Sequence, residues 1–504
     1  MNSETVADDS PEVVVIGSGL GGLCAAYELS KKGIRVLVLE RHNLPGGFST
    51  SFVRGRFEFE TSLHELGGAS AYEYLKNDDF QLEFKKVPEA YRLLLTENGT
   101  DFLAPFGIKE FSDAIIKAVP GSEGPVKDFM KVCEESFNAF TYLGDNSPPD
   151  PRLLFKKYGN FIRTGAAVTD EVADAVKLPQ AARDLIYPYW CYLGVATDKV
   201  SFSLWASMIY SYLNFGAYIP KGRSHAFSVS FARAITEAGG EIRYNAEVSK
   251  LNTAEGRVNG VTLNSGETIN CPHIVSNVSP HHVFGNLIDP AQVPSKAYKM
   301  VNARKPGFSF FVVFLGLDAD RETLGLTDYS YFIAPHMDTT RLVESLKNRH
   351  DPNPMQATIC LNAADESASP QGTTILSITA GTDPKAWEDI DPWDYPRAKE
   401  EFADLLIRQF EKATGTEIRS HIEEIETASP ETFSRYTAAW DGTVYGYEPA
   451  PWDGIIPRVL ADNKERFFKG LQFCGGNASR TYGFGSSMLS GKTAAEKTIA
   501  EMNS

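Results

Sequence analysis

Three glycines and one acid carry the first legible chemistry of this chain. Gly17, Gly19 and Gly22 form G-x-G-x-x-G directly after the apolar run Val13 to Ile16, and Glu40 closes the next strand, Ile34 to Leu39, whose only charge is Arg35. A short run with no polar break suits a parallel strand buried on both faces. The first glycine permits a tight turn, the second lets a pyrophosphate approach the backbone, and the third lets a helix pack closely on the strand. Leu23, Ala25, Ala26 and Leu29 suit that helix, and Gly33 ends it as a left-handed cap. An acid at Glu40 accepts hydrogen bonds from ribose hydroxyls and repels a 2′-phosphate. Strand, fingerprint, helix, strand and acid in one unit predict a site for FAD or NAD, not NADP.

The chain around this unit has 504 residues, more than one ordinary core, so two domains are expected. Its 42% hydrophobic and 23% charged residues are those of a soluble globular protein. A net charge of −16 argues against nucleic acid as a partner. Cys24, Cys133, Cys191, Cys271, Cys360 and Cys474 show neither C-x-x-C nor metal spacing and are expected to be reduced core thiols. The N-terminus, MNSETVADDSPE, is acidic and lacks an apolar core, which predicts no signal peptide and a cytoplasmic protein. Val200 to Pro220 runs 21 residues without a charge. Its serines, Asn214 and tyrosines make a buried helix the expectation, with a peripheral membrane contact left open. Trp205, Met208, Tyr210, Tyr212 and Phe215 within it are expected to wall an apolar ligand.

Several further elements are predicted. Ala226 to Ala238 reads as an amphipathic helix, EIRYNAEVSKL as a strand, and RVNGVTL and ETINCPHIVSN as strands joined through Asn264-Ser265-Gly266. Phe308 to Leu317 reads as a central strand and Ala398 to Ala413 as a helix stopped by Gly415. GLQFCGG reads as a strand entering a Gly-rich loop, with a last helix over Ser487 to Met502. The loop from Gly144 to Pro151 is the clearest break. Together they predict an α/β fold: a discontinuous Rossmann-like FAD-binding domain (11–75, 221–295 and 450–504) and a mixed α+β substrate domain (76–220 and 296–449). The substrate domain is expected to hold a long apolar tunnel.

Several segments, in order, resemble the flavin amine oxidase and phytoene desaturase superfamily. The similarity points to the branch of carotenoid desaturases, carotenoid isomerases and retinol saturases. Arg41, Pro45, Gly46 and Gly47 match its E-R-x-x-x-P-G-G element, and Phe59 to His64 stands where the family has F-D-x-G-x-H. GGEIRYNAEVSKL is similar to its third strand, and Cys474 to Gly491 resembles its last flavin motif. The resemblance implies that Arg41, Gly46 and Gly47 contact flavin phosphate and ribityl, and that Val248 meets adenine through its backbone. It implies flavin contacts for Gly476, Asn477, Ser487 and Met488, with the helix from Ser487 pointing its positive end at the flavin edge that becomes anionic on reduction. Three positions depart from the pattern: Asn477 replaces an Asp, Ser62 replaces a Gly, and Gly222-Arg223 replaces a Gly pair.

The resemblance also places the F-D-x-G-x-H element near the isoalloxazine, which makes His64, with Glu65 beside it, the leading acid/base candidate and His225 the second. No Ser-His-Asp triad, H-E-x-x-H or P-loop stands in the sequence, and His281-His282 reads as a loop, so no metal is expected. The family reading implies an FAD enzyme that desaturates or saturates the double bonds of a lipophilic polyene. Cis–trans isomerisation of a carotenoid, isomerisation of an unsaturated fatty acid and amine oxidation stay open beside it, as does a flavin-free lipid carrier of the same fold. With a single nucleotide fold and no second fingerprint, an external electron donor or acceptor is implied.

Overall fold

Alternation along the short apolar strands decides the layers of the first half. The computed structural model describes residues 10–145, 150–449, 466–478 and 482–504. Its five-stranded parallel sheet runs in the order Glu241–Arg243, Val36–Leu39, Val13–Ile16, His273–Ser276, Leu471–Phe473. Val13, Val15, Val36 and Val38 pack against the helices Leu20–Ser30, His225–Glu237 and Phe484–Met502. Val14, Ile16, Leu37 and Leu39 pack on the other side, with the antiparallel strands Val248–Ala254, Arg257–Leu263 and Thr268–Asn270. Burial on both faces is why these strands read as unbroken apolar runs.

The second large sheet has seven strands: Ile422–Ala428, Ser309–Leu317, Thr374–Thr382, Gln356–Cys360, Ser330–Ala334, Tyr91–Leu95 and Thr100–Ala104. Ser309–Leu317 lies inside it, between two antiparallel neighbours. Period two again sorts the side chains. Phe311, Val313 and Leu315 pack on the helix Tyr395–Thr414, through Phe402, Leu406 and Phe410. Phe310, Val312 and Phe314 face a cavity instead. A helical layer that includes Ile108–Ala118, Glu123–Asp145 and Phe202–Phe215 joins this half in a core with Tyr91, Leu93 and Phe332.

The structure corrects several boundaries. EIRYNAEVSKL is two strands in two different sheets, because Asn245 takes a φ of +53° and turns the chain between them. ETINCPHIVSN is also two strands, Thr268–Asn270 and His273–Ser276, separated at Cys271-Pro272. The uncharged stretch forms the helix Phe202–Phe215, then Gly216 at φ +75° and the strand Ala217–Pro220. Among the described residues no helix is long and apolar enough to cross a membrane. The last helix begins at Phe484, three residues before the expected start. Gly485 looks like a loop residue but serves close packing: a Cβ there would lie 2.9 Å from that of Ala71. The expected break at Gly144 to Pro151 and the boundary at 450 fall largely on residues outside the described set.

The helices Leu20–Ser30 and Phe484–Met502 cross with backbone against backbone. A Cβ on Gly491 would lie 2.2 Å from the Gly21 carbonyl oxygen and 3.0 Å from the Ala25 nitrogen. Gly491→Ala should therefore cost about 1–3 kcal/mol by overpacking, read as a lower melting temperature. Gly124→Ala, on an exposed helix position where a Cβ meets nothing within 4 Å, should be neutral or stabilising. Equal melting temperatures for the two variants would contradict this account of the crossing.

Candidate active site

The glycine turn is held open by an asparagine from another stretch of chain. Asn277 follows the strand His273–Ser276, and its Oδ1 accepts from Gly22 N at 3.1 Å. A Cβ on Gly19 would sit 2.4 Å from Asn277 Nδ2, and one on Gly475 2.6 Å from its Oδ1. Gly22 closes the strand–helix gap, since a Cβ there would be 2.1 Å from the Gly17 carbonyl oxygen. Gly17 itself takes φ +87°, as the tight turn requires. Glu40, buried at the end of the second strand, accepts from Ser18 N at 2.8 Å and Ser18 Oγ at 2.6 Å through Oε2, and from His42 N at 2.8 Å through Oε1. Gly46 N donates to the Ser18 carbonyl at 2.9 Å, which lays the Pro-Gly-Gly element against the turn.

A cavity of about 1300 Å³ begins at this turn. Gly17, Gly19, Glu40, Arg41, Gly46, Gly47, Val248, Gly476, Asn477 and Ser487 line it, together with His64 and Glu65. Residues 483–487, the first turn of the 19-residue last helix, also line it and bring the positive end of the helix dipole to its wall. The residues fit a dinucleotide such as FAD: a backbone strip with no room for side chains, a fixed buried carboxylate and a helix N-terminus.

The far end of the cavity is apolar. Phe310, Val312, Phe314 and Ile359 from the seven-stranded sheet, with Leu361 just after it, form one wall. Leu204, Met208, Tyr212 and Phe215 from one helix form another. Set into this chamber is a chain of polar groups. Thr379 Oγ1 lies 3.2 Å from His64 Nε2, and Tyr192 Oη lies 3.4 Å from His64 Nδ1. Tyr192 Oη donates to Glu65 Oε1 at 2.7 Å, while Glu65 Oε2 is buried and has no protein partner. The Tyr329 hydroxyl donates to the His64 carbonyl. Burial pushes the Glu65 carboxyl up to about 8, against the Tyr192 hydrogen bond, and pushes His64 down to about 4. At neutral pH the acid keeps its proton and the imidazole is neutral.

The other candidates lie elsewhere. Gly22 packs inside the strand–helix joint, Met488 is buried against Val13 and Val15, and neither lines the cavity. His225 is also off the cavity, 3.4 Å from Thr50 Oγ1, with burial lowering its pKa and Glu58 opposing. Arg223 pairs with Glu58 at 2.9 Å and donates to the Ala368 carbonyl, so its charge is spent on structure. Ser62, by contrast, lines the cavity, with its Oγ donating to the Phe48 carbonyl at 2.8 Å. Trp205 and Tyr210 of the expected aromatic wall are core residues instead. Sequence reasoning missed Asn277, Thr379, the bonding of Tyr192 to Glu65 and the stacked pair Tyr445 and Tyr482, whose centroids are 4.7 Å apart on the cavity wall. His281 Nδ1 lies 2.8 Å from Tyr447 Oη, and no group of three potential metal ligands gathers among the described residues.

The geometry predicts one non-covalent FAD per chain and a yellow protein. Gly19→Val should displace Asn277 and block the pyrophosphate strip, leaving flavin occupancy below about a tenth. Stoichiometric FAD in that variant would show that the pyrophosphate does not cross the turn.

Comparison with known proteins agrees with this geometry. The chain is 26% identical over 494 residues to an all-trans-retinol 13,14-reductase of Danio rerio, covering 90% of this chain and 79% of that one. It is 27% identical over 461 residues to a chloroplastic prolycopene isomerase of Daucus carota, covering 87% and 72%. The cyclohexylamine oxidase of Brevibacterium oxydans superposes with a TM-score of 0.62 at 17% identity, over 98% of this chain and 100% of that one. Residues 20–499 match the family described as flavin containing amine oxidoreductase. The chain belongs to that family and is an FAD-dependent enzyme.

Proposed function

We propose that this flavoenzyme acts on a carbon–carbon double bond of a lipophilic polyene, adding or removing hydrogen. The observation that carries the reading is the single cavity, which joins the dinucleotide turn to an apolar chamber holding a neutral, buried acid. Relatives named for reducing all-trans-retinol and for isomerising prolycopene support it. When bound, FAD supplies the hydride chemistry. Burial keeps the proton on Glu65, which lines the chamber and is the acid that supplies a proton to a substrate carbon there. Tyr192 fixes the acid through Oε1, and His64 and Thr379 extend a path along which that proton is replaced. The first turn of the last helix, on the cavity wall, would favour negative charge on a group bound beside it. Electrons come from the substrate or from an outside carrier, since one dinucleotide turn stands among the described residues.

A second reading, isomerisation, is favoured by the same proton path, because an acid that gives a proton at one carbon can recover it from another. Product mass separates the two. Anaerobic incubation of chemically reduced enzyme with an all-trans polyene alcohol should yield a product heavier by two hydrogens, and oxidised enzyme with a more saturated polyene one lighter by two. A product of unchanged mass and altered geometry would overturn the redox reading.

The proton on Glu65 sets the expected pH dependence. Its pKa is raised from the ordinary carboxylate range to about 8, so the acid form is present below that value and is lost as pH rises through it. Turnover should fall above pH 8, and Glu65→Gln should cut turnover about 100-fold or more and remove that limb. A limb unchanged in Glu65→Gln would assign it to another group.

A further inference from the structure

Among the described residues, two short helices, Pro151–Lys157 and Gly159–Arg163, depart from an acidic, polar surface. Leu153 is 38% exposed, Phe155 70% and Ile162 37%. Between Pro151 and Thr169 the chain carries Arg152, Lys156, Lys157 and Arg163 and no carboxylate, in a protein of net charge −16. All four cations are exposed, and none is in an ion pair among the described residues. An isolated exposed apolar residue needs no explanation, but three of them interleaved with four cations outside any ion pair do.

The position of these helices gives the pattern its meaning. Phe161 packs on Phe140 at a centroid distance of 5.3 Å, and the Glu135 carboxylate accepts from Asn160 N, Asn160 Nδ2 and Phe161 N, at 2.5, 2.7 and 3.2 Å. Phe140 and Thr141 line the cavity, and so does Phe215, which packs on Phe137 at 5.5 Å. Thr141 is exposed, and Phe215 is 40% exposed. The apolar chamber therefore reaches the surface beside the cationic helices.

We infer that residues 151–163, with Phe215 beside them, form a docking surface for an anionic lipid bilayer, and that the chamber opens toward that bilayer. Phe155, the most exposed of the three, enters the acyl boundary while the arginines and lysines remain at headgroup level, where each gains from anionic phosphate. The surface stands on exposure and charge; its service to the cavity rests on the polyene reading. It differs from the uncharged stretch Val200 to Pro220, which is mostly buried and presents only its Phe215 end.

Vesicle flotation of the full-length, FAD-loaded protein tests it. Vesicles of phosphatidylcholine with about 30 mol% phosphatidylglycerol should carry the protein, and pure phosphatidylcholine vesicles should carry much less. Salt should weaken the binding. Phe155→Asp, and separately the pair Lys156→Glu with Lys157→Glu, should each lower partitioning about tenfold or more. Both variants should keep their flavin content and their turnover of detergent-dispersed substrate, which shows that they fold. Wild-type protein that ignores anionic vesicles, or variants that bind as wild type does, would overturn the proposal. So would a lipid-free dimer that Phe155→Asp dissociates, because the face would then belong to a second copy of the chain. Vesicle binding without turnover of any polyene would leave the surface standing and remove the functional reading alone.

Discussion

The Asn277 side chain is the point on which the rest of the site depends. It lies where the N-terminal turn, the strand His273–Ser276 and the C-terminal strand Leu471–Phe473 converge. Its Oδ1 accepts from Gly22 N at 3.1 Å, with Cys474 Sγ at 3.7 Å. The cost of this convergence is a ban on side chains at Gly19, Gly21 and Gly475, where a Cβ would fall 2.4 to 2.7 Å from the asparagine. The same bare backbone is what a pyrophosphate needs. Close packing of three chain segments and a bare backbone that suits a pyrophosphate are thus one constraint satisfied once.

From that joint the cavity wall follows. Glu40, fixed by Ser18 and the His42 amide, marks one end. The sheet residues that alternate with the core, Phe310, Val312 and Phe314, mark the other. A carboxyl placed in such apolar surroundings keeps its proton, and Glu65 does so with Tyr192 on one oxygen only. The chemistry of the far end is therefore set by burial more than by neighbouring charge. Arg223, the one unexpected cation near the motif by sequence, is neutralised by Glu58 before it can act on the chamber.

Legibility in the sequence tracked how local each signal was. The first strand, the glycine turn and Glu40 lie within one βαβ unit, and spacing alone revealed them. Asn277 has no such frame, since a single residue after an apolar strand acquires its meaning only when a strand distant in sequence pairs beside it. The contacts of Tyr192 and Thr379 were hidden for the same reason: the two meet His64 from a 3-10 turn and from a sheet. The helix Phe202–Phe215 was half legible. Leu204, Met208, Ser211, Tyr212 and Phe215 line the cavity at helical spacing, whereas Trp205 and Tyr210 fall on the core side. Sorting its aromatic residues by a period of 3.6 residues would have separated the two. The break at Asn245 was not readable, because apolar and polar residues alternate around a residue whose positive φ only the fold imposes.

The account makes the cavity a place where a polyene and the flavin exchange hydrogen directly. Anaerobic stopped-flow absorbance of the bound flavin tests that claim most directly. Mixing reduced enzyme with a polyene that can be saturated should return the oxidised flavin spectrum at one equivalent per product formed, and mixing oxidised enzyme with one that can be desaturated should bleach it. Turnover of the polyene with no net change in the flavin's redox state would contradict the account.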